Sequence, residues 1–227
     1  MQPTFLPSPI YLSLIYQSDN FVFLDNVQFS KQSWQQRNKI ITKKSAAWIT
    51  VPIKKSKFNN INEIKIIKND RNFKKILNLI KLSYSKSIFF EKYYNQFEKI
   101  LLNHQEKLCD LNINLIKWLC DCFNIKSNFY YSSKLVPNLH LDKVMYLVDI
   151  CKILNTSIYL SPYGSKEYLE KKKNFFINNN LIVLYNNFDL TIFEKKGFNP
   201  SAIDLLFNEG GESGRKKIIS SINKSYE

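Results

Sequence analysis

The stretch from Ser157 to Tyr185 constrains the fold more than any other part of the chain. SIYL at 157–160 and LIVLY at 181–185 are short runs of β-branched and aromatic residues, separated by the loop SPYGS and a helical stretch over 166–178. A connection of that length is too long for a tight hairpin, so it predicts two parallel strands joined by a right-handed crossover. Parallel strands need helices on their faces, which makes the chain α/β: a single domain with a mixed, partly parallel sheet flanked by amphipathic helices.

The flanking helices are legible as apolar stripes. Phe73, Ile76, Leu77, Ile80 and Tyr84 recur at helical spacing with Lys74, Lys75 and Lys81 outside the stripe. Tyr94, Phe97 and Leu101 mark a second helix over 90–103, and Leu115, Ile116, Leu119, Cys122 and Phe123 a third over 111–123, with Trp118 off its stripe. Val144, Leu147, Val148, Cys151 and Leu154 form another face, begun by Asp142 as an N-cap. A last helix over 201–208 follows Pro200, and the residues after Glu209 read as a turn and a weakly structured basic tail. Near the N-terminus, 20–29 reads as a strand, while 47–53 and 61–67 read as an extended pair joined by a lysine-rich tip.

Composition narrows the partners. The net charge of +14 raises nucleic acid or an anionic membrane surface. Yet every basic residue except Arg37, Arg71 and Arg215 is lysine, spread over nearly every polar face, so the excess is either a habit of an AT-rich genome or a binding footprint. Stable nucleic-acid binding is therefore not expected, and an anionic small molecule is. Cys109, Cys120, Cys122 and Cys151 sit in apolar helical stretches and read as buried reduced thiols. His104 and His140 lack a second ligand at metal-binding spacing, so no metal is expected. No apolar run is long enough to span a membrane and the N-terminus is not a signal peptide, which makes the cytoplasm the expected location, with at most weak contact to the inner membrane surface.

No P-loop, dinucleotide fingerprint, zincin helix or nucleophile elbow is present. Polar residues instead crowd the first forty positions: Gln2, Tyr11, Asp19, Asp25, Gln28, Trp34, Gln36, Arg37 and Asn38. Asp25 is either a turn former or a site carboxylate, and Arg37 either a surface ion-pair partner or the planar fork that grips phosphate. Ser161, Gly164 and Ser165 follow a parallel strand, where ligands of α/β sheets bind, although Pro162 and Gly164 are also simple turn makers. Asp204 sits in the last helix, with Ser201 before it as a cap.

The opening QPTFLP, then FVFLDNVQFSKQSWQQRN, TVP at 50–52, INEI at 61–64, YLSPYGSKEYL and NPSAIDLLFNEG together resemble the WbqC-like family, nearly end to end. Its pattern falls on Gln2, Pro3, Pro7, Tyr11, Asp19, Asp25, Gln28, Trp34, Arg37, Asn38, Asn62, Gly164 and Asp204. It departs at Ser8, Pro9 and Ile10, at Asn26, where a second acid is frequent, and near Met145. The family accompanies bacterial O-antigen and lipopolysaccharide gene clusters, and some members are assigned as glycine or acyl transferases on amino sugars. The resemblance thus implies an N-acyltransferase or aminoacyltransferase acting on a nucleotide-linked amino sugar. No cofactor is expected beyond an activated acyl or aminoacyl donor.

For that chemistry the expected catalytic residues are Asp25 as base or amine anchor and Gln28 and Asn38 as polar donors. The expected substrate contacts are Arg37 with Ser161, Gly164 and Ser165 for phosphate, Trp34 or Tyr11 for stacking, and Gln2 and Asp204. The alternatives are a non-catalytic module that binds a sugar nucleotide or assists assembly, and a nucleic-acid-binding protein.

Overall fold

The computed structural model describes residues 1–43, 45–54, 59–67, 70–103, 106–137 and 142–223. His104, His140 and most of the expected lysine-rich tip lie outside them. The first helix, α1 (Pro9–Tyr16), was not apparent in a segment broken by prolines, yet Pro9 stands in its first turn, where a fixed φ and a missing N–H do no harm. Strand β1 (Asn20–Phe23) ends earlier than the expected 20–29 because the side chains of Asp25 and Asn26 bond to a distant segment and turn the chain out of the ladder. Strands β2 (Arg37–Ile41) and β3 (Ala46–Thr50) form an antiparallel ribbon closed by Thr42, whose hydroxyl bonds to Ser45 O at 2.7 Å. That ribbon replaces most of the extended pair expected at 47–53 and 61–67. Of the latter, Ile61–Glu63 is a 3-10 turn and only the Ile53–Ile66 bridge survives.

The helical stripes are realised. In α2 (Asp70–Tyr84), the five apolar stripe residues are all buried, and α3 (Phe90–Leu102) buries Tyr94, Phe97 and Leu101. Helix α4 (Leu108–Cys122) is buried on almost every side, Trp118 included, as suits a helix that is apolar all round. It leads to β4 (Asn128–Tyr131), parallel to β1, where Phe23 stacks on Phe129 at 5.4 Å. A single turn, α5 (Ser132–Leu135), follows directly.

The C-terminal unit is the expected crossover. Asp142 caps α6 (Lys143–Ile153), accepting from Val144 N at 2.8 Å. Strands β5 (Ile158–Pro162) and β6 (Ile182–Phe188) are parallel, and the crossover helix is broken into α7 (Lys166–Glu170) and α8 (Lys173–Ile177). Val144, Val148, Cys151, Leu169, Phe176, Leu181 and Tyr185 form a small core here, separate from the main one built by α1 to α4 and the last helix. The expected mixed architecture is present as three small sheets, the third completed by β7 (Ile222–Asn223), antiparallel to β6. Among the described residues no helix is long and apolar enough to cross a membrane. The cysteines are free thiols, and burial pushes Cys120 and Cys122 up to about 12.

The final helix, α9 (Ala202–Ser220), corrects the expectation of a weak tail. The turn is there, at Gly210 with φ +76°, but the helix resumes and packs. A Cβ on Gly211 would lie 2.1 Å from the carbonyl oxygen of Cys122, so α9 meets the end of α4 backbone to side-chain-free backbone. Gly211→Ala is expected to destabilise the protein by about 3 kcal/mol or more, whereas Gly164→Ala, which meets nothing within 4 Å, stays within about 0.5 kcal/mol of wild type. Urea unfolding of the two variants checks the contrast.

Candidate functional site

The N-terminal loop before α1 runs through the middle of the molecule and is bonded on every side. Phe5 N donates to Trp34 O at 2.9 Å, Ala202 N to Pro7 O at 2.8 Å and Leu24 N to Met1 O at 2.8 Å. The buried amide of Asn38 donates to Leu6 O at 2.6 Å and to Phe5 O at 3.4 Å. Asn112, wholly buried in α4, donates to Pro3 O at 3.2 Å and to Gln35 O at 2.8 Å. These bonds hold Leu6 at φ +45°, a left-handed conformation that strains a side chain of this size. Two expected site residues are thereby occupied. Both donors of Asn38 serve the loop, and Tyr11 lies inside the core, edge-on to Phe21, with its hydroxyl on Gln2 O. Neither presents a free group to a ligand. Gln2 itself is exposed and accepts from Gln35 Nε2 at 2.8 Å.

Asp25 is buried next to this loop. Its Oδ1 accepts from Ser133 N at 2.8 Å and Ser132 Oγ at 3.1 Å, and its Oδ2 from Ser133 Oγ at 2.6 Å. Asn26 is bound to the same turn: its Oδ1 accepts from Ser132 Oγ and Tyr146 OH, and its Nδ2 donates to Val136 O. The amide form suits that place, since an acid would lack the donor to Val136. On α4, Asp110 is exposed, and partial desolvation raises its carboxyl from the ordinary value; Lys107 opposes this and the charge of Asp25 adds to it. Gln28 is exposed, in an isolated bridge with Asn60. Ser132, Ser133 and Asp110 had no sequence signal, because they reach Asp25 only through the β1–β4 pairing and the placement of α4.

Arg37 stands on the outer face of β2, with its guanidinium 4.2 Å from the centre of the Trp48 ring. Lys39 lies 5.0 Å from the same ring and 5.6 Å from that of Phe198, and Trp34 packs against Trp48 at 5.6 Å. No carboxylate pairs with Arg37 or Lys39 among the described residues, and the buried Nε of Arg37 has no partner. The alternation of Arg37 and Lys39 outward with Asn38 and Ile40 inward was the signal for this strand, hidden by the polar run before it.

The remaining expected residues lie elsewhere. Asp204 is buried in α9, accepting from Lys195 Nζ at 2.6 Å and from Tyr84 OH, a phenol that burial and Asp204 push upward. Lys195 and Tyr84 therefore complete its surroundings. Ser161 is buried at the end of β5, while Gly164 is exposed and Ser165 half-buried in a short turn. No hydrogen bond, ion pair or ring contact among the described residues joins this turn to Arg37.

Comparison with known proteins places the chain. The WbqC-like protein family matches residues 2–216. The uncharacterized protein Rv1507c of Mycobacterium tuberculosis is 27% identical over 220 residues, covering 94% of each chain. No solved structure matches.

The Asp25–Asp110 neighbourhood makes a direct prediction. A carboxylate raised on folding penalises the folded state at neutral pH and ceases to do so below its unfolded value. Asp110 is exposed and lies in the first turn of α4, so solvent and the helix end offset most of this penalty. Asp110→Asn is expected to change the melting temperature near pH 7 only slightly, any gain fading below about pH 4 and being smaller when Asp25 is already asparagine. Thermal unfolding of both single variants and the double variant across that pH range checks this.

Proposed function

The chain belongs to the WbqC-like protein family, and we propose that it modifies a sugar destined for a bacterial surface polysaccharide, by acyl or glycyl transfer to the amine of a nucleotide-linked amino sugar. The observation that carries the reading is the pair of unlike groups in the segments that follow the anchored N-terminal loop. Asp25 is a carboxylate fixed by two serines, and Arg37 is a guanidinium with no acidic partner among the described residues. One is suited to an amine and the other to a phosphate.

An amino sugar arrives mostly as its ammonium form and must lose a proton before it attacks. In this reading Asp25 anchors the ammonium, and the proton passes to a carboxylate, Asp25 or its raised neighbour Asp110. The nitrogen bonds to the carbonyl carbon of an activated ester or thioester. The carbonyl oxygen takes up negative charge, for which the exposed amides of Gln28 and Gln2 are the proposed donors. The bond to the alcohol or thiol then breaks, and the proton ends on that leaving group. Arg37 holds the anionic end of the substrate throughout.

The purified chain, given a nucleotide-linked amino sugar with an aminoacyl ester or an acyl thioester, is expected to yield the amide, read as a mass gain on the sugar nucleotide. Asp25→Asn should lower turnover by about 100-fold or more, and Arg37→Ala should raise KM. Turnover unchanged in a folded Asp25→Asn protein would contradict the reading.

A further inference from the structure

We infer that the outer face of the β2–β3 ribbon is a nucleoside diphosphate site, with the base stacked on the Trp34–Trp48 surface and the diphosphate held by Arg37 and Lys39. Four features of the ribbon carry this. First, the two indoles are accessible: Trp34 is 53% and Trp48 43% exposed, although both are large enough to be buried in an ordinary fold. Second, they are adjacent, 5.6 Å apart, so they make one continuous aromatic surface.

Third, the cations are fixed beside that surface by strand geometry. Lys39 and Trp48 are direct cross-strand partners, and Arg37, paired with Thr50, is diagonal to Trp48 on the same face. The centre of the guanidinium lies over the Trp48 ring, 4.2 Å from its centroid, and the buried Nε has no partner among the described residues. Fourth, no acid pairs with them among the described residues. The sequence contains no Asp or Glu between Asp25 and Glu63, whereas Lys31, Arg37, Lys39, Lys43, Lys44, Lys54, Lys55 and Lys57 lie in that interval. Several lysines elsewhere do have an acid at hand: Lys65, Lys171, Lys195, Lys216 and Lys217 each reach a carboxylate.

Two adjoining indoles inclined at 40° to each other, with two cations against one of them that reach no acid among the described residues, match a ligand with one planar π-face and a compact anion beside it. A diphosphate joined to a lipid would use the cations and leave the indoles in water, so the exposed indoles favour the nucleotide. The inference rests on the preceding reading only in taking the ligand to extend into a sugar, and nucleotide binding does not require turnover.

Titration calorimetry and tryptophan fluorescence with uridine 5′-diphosphate, adenosine 5′-diphosphate, inorganic pyrophosphate and a short single-stranded oligonucleotide test it. The nucleoside diphosphates are expected to bind and perturb the fluorescence, with pyrophosphate at least about 10-fold weaker. Trp48→Leu should weaken nucleotide binding by about 10-fold or more, and Arg37→Lys, which keeps the charge but loses the fork, should weaken it as well. Asp25→Asn should bind the nucleotide as wild type does; wild-type protein that binds the nucleotide but transfers no acyl group would sink the transferase reading and leave this one standing. Pyrophosphate binding as tight as the nucleotides, tighter binding of the oligonucleotide, or no nucleotide binding would overturn it.

Discussion

Two buried amides hold the centre of this protein. Asn38 in β2 and Asn112 in α4 donate to the carbonyls of Pro3, Phe5, Leu6 and Gln35. The loop they hold has no ladder of its own, and a buried carbonyl left without a donor costs about 1–3 kcal/mol. A loop passing through a protein interior is unusual for that reason. Here the amides supply what a helix or sheet would otherwise supply, and they hold Leu6 in a conformation it would not adopt alone. The packing elements meet on this loop: β1 through Met1, the turn before β2 through Phe5, and α9 through Pro7.

The segments that follow this loop hold two chemical environments. In one, Asp25 and Asn26 are bonded to the α5 turn and to Tyr146, with the charge of Asp25 felt by Asp110 on α4. In the other, Arg37 and Lys39 lie against Trp48 with no acidic partner among the described residues. Several of the lysines pair with acids, as Lys171 and Lys216 do, whereas residues 26–62 contain no acid at all. A cation without an acid beside it creates a local field that an anionic ligand would feel.

Elements with a strong period were legible in the sequence. The stripe from Phe73 to Tyr84 became α2, and the SIYL and LIVLY runs became parallel strands β5 and β6. Elements set by tertiary context were not. Pro9 disguised α1, and the polar run before Arg37 disguised β2. The site was readable in its residue types but not in their roles. Asp25 could be singled out, but its partner Ser133 lies 108 residues away and is brought near by a strand pairing with no local signal. Asn38 and Tyr11 carried the right chemistry for a ligand and are used on the backbone instead.

The claim that the amides organise the molecule is tested most directly by hydrogen exchange in Asn38→Ala. The Phe5 and Ala202 amides, which bond to Trp34 and Pro7, should exchange at least about 10-fold faster than in wild type. The β5–β6 amides, in a separate core, should be unchanged. Unaltered protection at Phe5 and Ala202 would contradict the account, because the loop would then hold its place without the bonds credited with holding it.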